Sequence, residues 1–256
     1  MTDTAWRLWT ARLGWLTAAT FLAGSALVLY LVLTYYETPL GPDATFVDTL
    51  LASFEDQQAR WIPDFASSLL FAAGFAALAA LGAILRHVLG RDDPRTMLAT
   101  VAFLLAGAVG VASQLMYIGG TEIATDPEYC DCGFLAEEII SRGMIRNVLG
   151  GIVFWMTDGF VVLFALGLFA VASAAGASGT MPVAWAAFSR LVAIAGLAAV
   201  VWNHVAVPLL IQAGYHDLQY GTISGLITAV IAGILVPIWA AWLARAVRPG
   251  EAEPAA

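Results

Sequence analysis

Asp158, Asn203 and His204 are the polar residues of this chain whose surroundings fit them least, because each stands inside a long apolar run. An ionisable group within such a run is costly and is usually turned toward a bundle interior, a cavity or a partner. Burial disfavours the charged form of a carboxylate or an imidazole, and attraction between the two favours it, so a neighbouring Asp158 and His204 can share or pass a proton. Trp155 precedes Asp158 by about one helical turn and Trp202 adjoins Asn203, which brings two tryptophans into the same layer. Gln114, in another apolar run and nearer its outer end, would line a path toward Asp158. One chemistry open to such a cluster is a proton-linked or polar-ligand site that opens outward. The other is purely structural, an Asp, Asn and His hydrogen-bonded between two helices with Trp N–H groups completing the network.

Other constellations carry less. Cys130 and Cys132 are the only cysteines and lie in an acidic segment. A bridge between residues two apart closes a small strained ring, so a disulfide there would be labile. Metal binding with nearby acids or a redox pair are the other uses, and a loop-local or intersubunit disulfide is the simpler expectation. Gly176-Ala177-Ser178-Gly179 spells the nucleophile motif of rhomboid intramembrane proteases, yet it follows an apolar run instead of opening one, and no histidine follows on a last helix. Haem between helices wants two axial histidines, whereas only His204 is embedded, with His87 and His216 at the ends of runs. The eleven basic residues are all Arg, so a retinal Schiff base and a P-loop lysine are excluded. No H-E-x-x-H, no Glu-x-x-His pair and no G-x-x-x-x-G-K-[ST] occurs, so zinc hydrolase, di-iron and nucleotide-driven chemistry lack their ligands; haem and retinal are not expected, and the sequence identifies no cofactor.

The elements that must hold the polar layer follow from composition. With 61% hydrophobic and 12% charged residues, the chain is far outside the soluble range. A bilayer core of ~30 Å takes about 20 apolar residues per helical crossing. Six stretches qualify, at roughly 12–34, 66–88, 97–119, 148–173, 191–213 and 222–243. The expectation is an all-α, polytopic transmembrane bundle forming a single domain. The first stretch, longer than a signal h-region, is expected to be a retained helix. At ~1.5 Å per residue, Asp158 lies about 16 Å below the outer end of the fourth span near Asn147, and His204 and Asn203 about 14 and 15 Å below that of the fifth near Ala213. Pro208 has no N–H for the carbonyl of His204, and Pro237 none for that of Gly233, so a free carbonyl and a local bend are expected at each.

Orientation rests on arginine. With the N-terminus inside, Arg7, Arg12, Arg86, Arg91, Arg95, Arg190, Arg245 and Arg248 are cytoplasmic, against Arg60, Arg142 and Arg146 outside. Both termini are therefore expected in the cytoplasm of a bacterial-type plasma membrane. Trp6, Trp9, Trp15, Trp185, Trp239 and Trp242 then form an inner belt, while Trp61 and the tyrosines fall at or near the outer face. The outer loops, 35–65 and 120–147, hold most of the acids behind the net charge of -8. Phe46, Leu50, Leu51 and Phe54 space a short amphipathic helix in the first, and a second helix is expected from Phe134 to Met144. The tail 249–256 is expected to be disordered. Ala102, Ala106 and Gly110, and likewise Gly151, Trp155 and Gly159, have the spacing of close-packed seams.

Six spans, a longer first outer loop, Arg12-Leu13-Gly14-Trp15-Leu16 at the first span and Asn203-His204 in the fifth resemble the bacterial six-helix membrane proteins grouped as DUF4386. That resemblance implies a fold and no catalytic residues, and the acidic Cys130-x-Cys132 loop departs from it. The expectation is a non-enzymatic bundle, either an accessory or interaction subunit or a small-ligand binder, that uses its outer acidic loops and the Asp158 layer. The alternatives are a proton-coupled small-molecule transporter and, third, a membrane-embedded enzyme. Its expected partners are the lipid bilayer and other membrane subunits or further copies of itself, not nucleic acid.

Overall fold

A computed structural model describes residues 2–34, 41, 43–90, 92–125, 136–215 and 220–248. Among these residues the secondary structure is helical throughout. The helices are α1 (Asp3–Thr34), α2 (Phe46–Ala59), α3 (Trp61–Leu89), α4 (Pro94–Thr125), α5 (Ala136–Ser178), α6 (Val183–Val201), α7 (Val207–Gln212), α8 (Tyr220–Val230) and α9 (Val236–Ala246). A π-helical turn, Trp202–Ala206, joins α6 to α7, and another, Ile231–Leu235, joins α8 to α9. Six continuous helices are long and apolar enough to cross a membrane: Asp3–Thr34, Trp61–Leu89, Pro94–Glu122, Glu137–Ser178, Val183–Gln212 and Ile223–Ala246. The molecule is thus a six-span helical bundle, the architecture of a multi-pass membrane protein. Hydrocarbon offers backbone amides no other partner, which is why apolar runs of this length become helices. Hydroxyls follow the same rule: Thr10, Thr17 and Thr20 donate back to the carbonyls of Trp6, Leu13 and Leu16 at 2.9, 2.8 and 2.8 Å.

α1, α3, α4, α5, α6 and α9 pack in that order into a ring, α9 returning to α1. The start of α1 and the end of α9 share one end of the bundle, where Trp6 stacks on His87 with ring centroids 4.0 Å apart. α2 covers the opposite end, packing Leu50 and Phe54 against Ile139 of α5. Small residues let the helices approach closely. A Cβ on Gly107 would lie 2.6 Å from the Phe75 carbonyl oxygen, and one on Gly110 would lie 2.4 Å from the Phe75 ring. With Ala102 and Ala106 buried beside them, this is the seam their spacing predicts.

Three expectations are corrected. Trp185 and Trp239 are fully buried, not belt residues: Trp239 Nε1 donates to Ser189 Oγ at 3.0 Å and Trp185 Nε1 to the Trp239 carbonyl at 3.4 Å, so both N–H groups are satisfied inside the core. The helix expected to end at Met144 instead continues into the fourth span as the 43-residue α5, because Ile145-Arg146-Asn147 contains neither Gly nor Pro to stop it. Gly151, Trp155 and Gly159 form no seam. Nothing lies within 4 Å of a Cβ on either glycine, and Trp155 is 66% exposed, because α7 and α8 pack only lightly against the rest of the bundle. Cys130, Cys132, most of the second acidic loop, His216 and the tail 249–256 lie outside the described residues.

Candidate functional site

The site is built on two spans. In the fifth, Pro208 cannot donate to the carbonyl of His204. The backbone answers by widening the turn, so the Val207 N–H donates to the Trp202 carbonyl five residues back. The expected bend therefore takes the form of a π turn with His204 at its centre, and such single-turn bulges recur at functional sites. The sixth span repeats the device, with the Val236 N–H donating to the Ile231 carbonyl ahead of Pro237.

α5 presents Asp158 to this turn. His204 Nε2 lies 2.5 Å from Asp158 Oδ2, and this contact brings the fourth and fifth spans into register at the depth their sequence spacing suggests. Asp158 is 8% exposed, while about a quarter of the His204 side chain is open, so the imidazole is the accessible half of the pair. Trp155 stacks on His204, with ring centroids 4.4 Å apart and planes 25° from parallel. Phe154 meets the same imidazole at 5.4 Å. Trp155 thus covers the histidine with its face and leaves the Asp158 contact to the carboxylate alone.

Asn203 and Trp202 turn to a separate network. Trp202 Nε1 donates to Ser224 Oγ at 3.2 Å, and Ser224 Oγ donates to Asn203 Oδ1 at 2.8 Å. Ser224 of α8 is the residue that sequence reasoning missed, since nothing separates it from Thr222 or Thr228 until the last two spans stand side by side. Gln114 is not at the pair. It lines a cavity of about 310 Å³ toward the α2 end, with Asp64, Ser67, Ser68 and Tyr117. Ser178 of the protease-like motif ends α5 at the termini end, paired with Thr180 Oγ1 at 2.7 Å and far along the chain from the histidine.

Comparisons with protein-family models, characterised proteins and solved structures return no match. The geometry therefore carries the functional reading. A carboxylate and an imidazole in contact, half-screened by an indole and joined to no other charged group by a hydrogen bond or ion pair among the described residues, can hold one proton between them and exchange it as the surroundings change.

Proposed function

We propose that this chain is an integral membrane protein that binds a small polar ligand within the bilayer and couples binding to the protonation of the Asp158–His204 pair, as a proton-linked small-molecule carrier does. The observation that supports this most is the 2.5 Å contact between the two ionisable side chains beside a widened helical turn. A purely structural link would be served as well by two neutral groups, at a lower desolvation cost. α7 and α8 pack only lightly against the rest of the bundle, and about a quarter of the His204 side chain is open beside them. The arginine distribution supports placing the α2 end outside and both termini in the cytoplasm of a bacterial-type plasma membrane.

The test uses proteoliposomes containing a pH-sensitive dye and a panel of amino acids, sugars and organic cations. The expected result is proton flux driven by at least one solute class, abolished in Asp158→Asn while that variant keeps its fold. Undiminished flux in Asp158→Asn would overturn the assignment. A second reading, an accessory subunit, is favoured by the exposed Trp155 and by the fifth span being the least enclosed of the six. It predicts no flux with any solute and stoichiometric co-purification of another membrane protein.

A further inference from the structure

The cavity of about 310 Å³ that holds Gln114 lies between α1, α3, α4 and α5, toward the α2 end of the bundle. At ~1.5 Å per residue, Ser68 stands about 10 Å along α3 from Trp61 and Gln114 about 12 Å along α4 from Glu122, so the two share a depth inside their spans. Ser68 is 2% exposed and lines the cavity, yet its hydroxyl makes no hydrogen bond among the described residues, and neither does the Gln114 carboxamide. Their neighbours are satisfied. Ser67 Oγ donates to the Asp64 carbonyl at 2.8 Å, Ser113 Oγ to the Gly110 carbonyl at 2.8 Å, and the Tyr117 hydroxyl to Asp64 Oδ2 at 3.0 Å. A polar group without a partner inside hydrocarbon is costly, so a hydroxyl and a carboxamide left over in one cavity call for a polar occupant. Phe71 supplies an aromatic wall, its ring edge-on to Phe21 at 5.7 Å. Further toward the termini end Phe75 meets Phe21 and Phe160 edge to face, with centroids 5.1 and 4.6 Å apart, so aromatic rings fill the bundle on that side.

The groups left over are neutral and of mixed kind. A carboxamide offers two N–H donors and an acceptor, and a serine hydroxyl one donor and two lone pairs. Asp64 adds an acceptor, and Arg60 on the same wall attracts it, so the carboxylate does not itself call for a cation. A hydroxyl both donates and accepts. A ligand carrying several hydroxyls therefore meets donors and acceptors spread over α3 and α4, which a single carboxamide or ammonium group cannot do. The volume lies at the low end of the roughly 300–1,000 Å³ of ligand pockets, which limits the ligand to a small molecule. We propose that this cavity binds a small uncharged polyol, with Gln114 and Ser68 as its hydrogen-bond partners and Phe71, Leu31 and Val153 against its carbon skeleton. Phe154, next to Val153 on α5, meets His204 at 5.4 Å, which sets this cavity beside the ionisable pair. As the place and class of ligand for the carrier proposed above, the site rests on that reading.

The test is saturation-transfer NMR of the full chain in a detergent without a sugar headgroup, titrated with glycerol, xylitol, propionamide or ethylammonium. Xylitol or glycerol should bind saturably and more tightly than propionamide or ethylammonium. Gln114→Leu should weaken that binding about tenfold or more, and Ser68→Ala about threefold or more. Ser68 has no bond within the protein to lose, so Ser68→Ala should leave the unfolding temperature of the ligand-free chain unchanged, and it decides the matter if Gln114→Leu does not fold. Ser113→Ala, beside Gln114 but outside the cavity, should bind as the wild type does. Binding is read without proton flux, so the two proposals fail separately: polyol binding without flux sinks the carrier alone, and flux of a solute that does not compete with xylitol sinks this site alone. No saturable binding of either polyol, a preference for propionamide or ethylammonium, wild-type affinity in Ser68→Ala, or an equal loss in Ser113→Ala would overturn the proposal.

Discussion

Asp158 and His204 form one unit, and their substitutions should behave accordingly. Asp158→Ala strips the imidazole of its acceptor in a half-enclosed place and should cost about 1–3 kcal/mol of stability. Asp158→Asn keeps an acceptor and should cost less while removing the proton-holding group. Thermal unfolding of the two variants checks the order, and equal losses would contradict it. Trp155 supplies an independent report, since its ring lies on His204. The emission lost in Trp155→Phe should change with pH in the wild type and be independent of pH in His204→Gln. The pairing itself was legible in the sequence because counting along two apolar runs places both ionisable residues at one depth, and the two side chains do meet there. Asn203 was less so. Its polarity showed, but its partner Ser224 is an ordinary hydroxyl until the spans are docked, and the same ignorance of neighbours put Gln114 on a path to Asp158 instead of in a cavity with Asp64.

At the scale of elements, the prolines explain the most. Pro208 and Pro237 each follow a valine that donates across a widened turn, so the two last spans carry the same irregularity in the same register to their proline. Sequence reasoning predicts the missing hydrogen bond, but whether the backbone bends or widens depends on what packs there. Pro208→Ala restores a donor to the His204 carbonyl and should let the turn revert to α-helix, rotating His204 by roughly 100° relative to α7. The variant should remain folded yet lose the pH-dependent Trp155 emission. Seams behave differently. Gly107→Ala drives a methyl toward the Phe75 carbonyl and should cost about 1–3 kcal/mol, whereas Gly176→Ala meets open space and should be close to neutral in the same unfolding assay. α2 begins with a capping box in which Asp48 Oδ2 accepts from the Thr45 N–H at 2.7 Å and Thr45 Oγ1 accepts from the Asp48 N–H at 3.2 Å. These bonds to Thr45 hold the Asp48 carboxyl below the usual carboxylate range. The box's contribution is therefore complete above that range and is lost as pH falls below it through the lowered value of the folded state, so amide exchange at the start of α2 should accelerate in acid and be insensitive to acid in Asp48→Asn.

For the whole molecule, six spans were legible because the period and length of apolar runs are set by the bilayer and not by neighbours. What the spans do to each other was not. Trp185 and Trp239 have the composition of interface residues, yet they fill the core because each finds a partner for its N–H there. Orientation rests on arginine and has its own test. In a background with Cys130 and Cys132 replaced by Ala, Thr45→Cys should react with a membrane-impermeant maleimide on intact cells and Ser178→Cys should not. The reverse pattern would invert the bundle. The central claim, that Asp158 and His204 hold a proton between them, is tested most directly by infrared difference spectroscopy of the reconstituted chain across a pH titration. The account predicts that the Asp158 carboxyl band, identified by its loss in Asp158→Asn, changes with the same midpoint as the His204 ring band, and that His204→Gln displaces that midpoint. Bands that titrate independently, or an Asp158 band indifferent to His204→Gln, would contradict it.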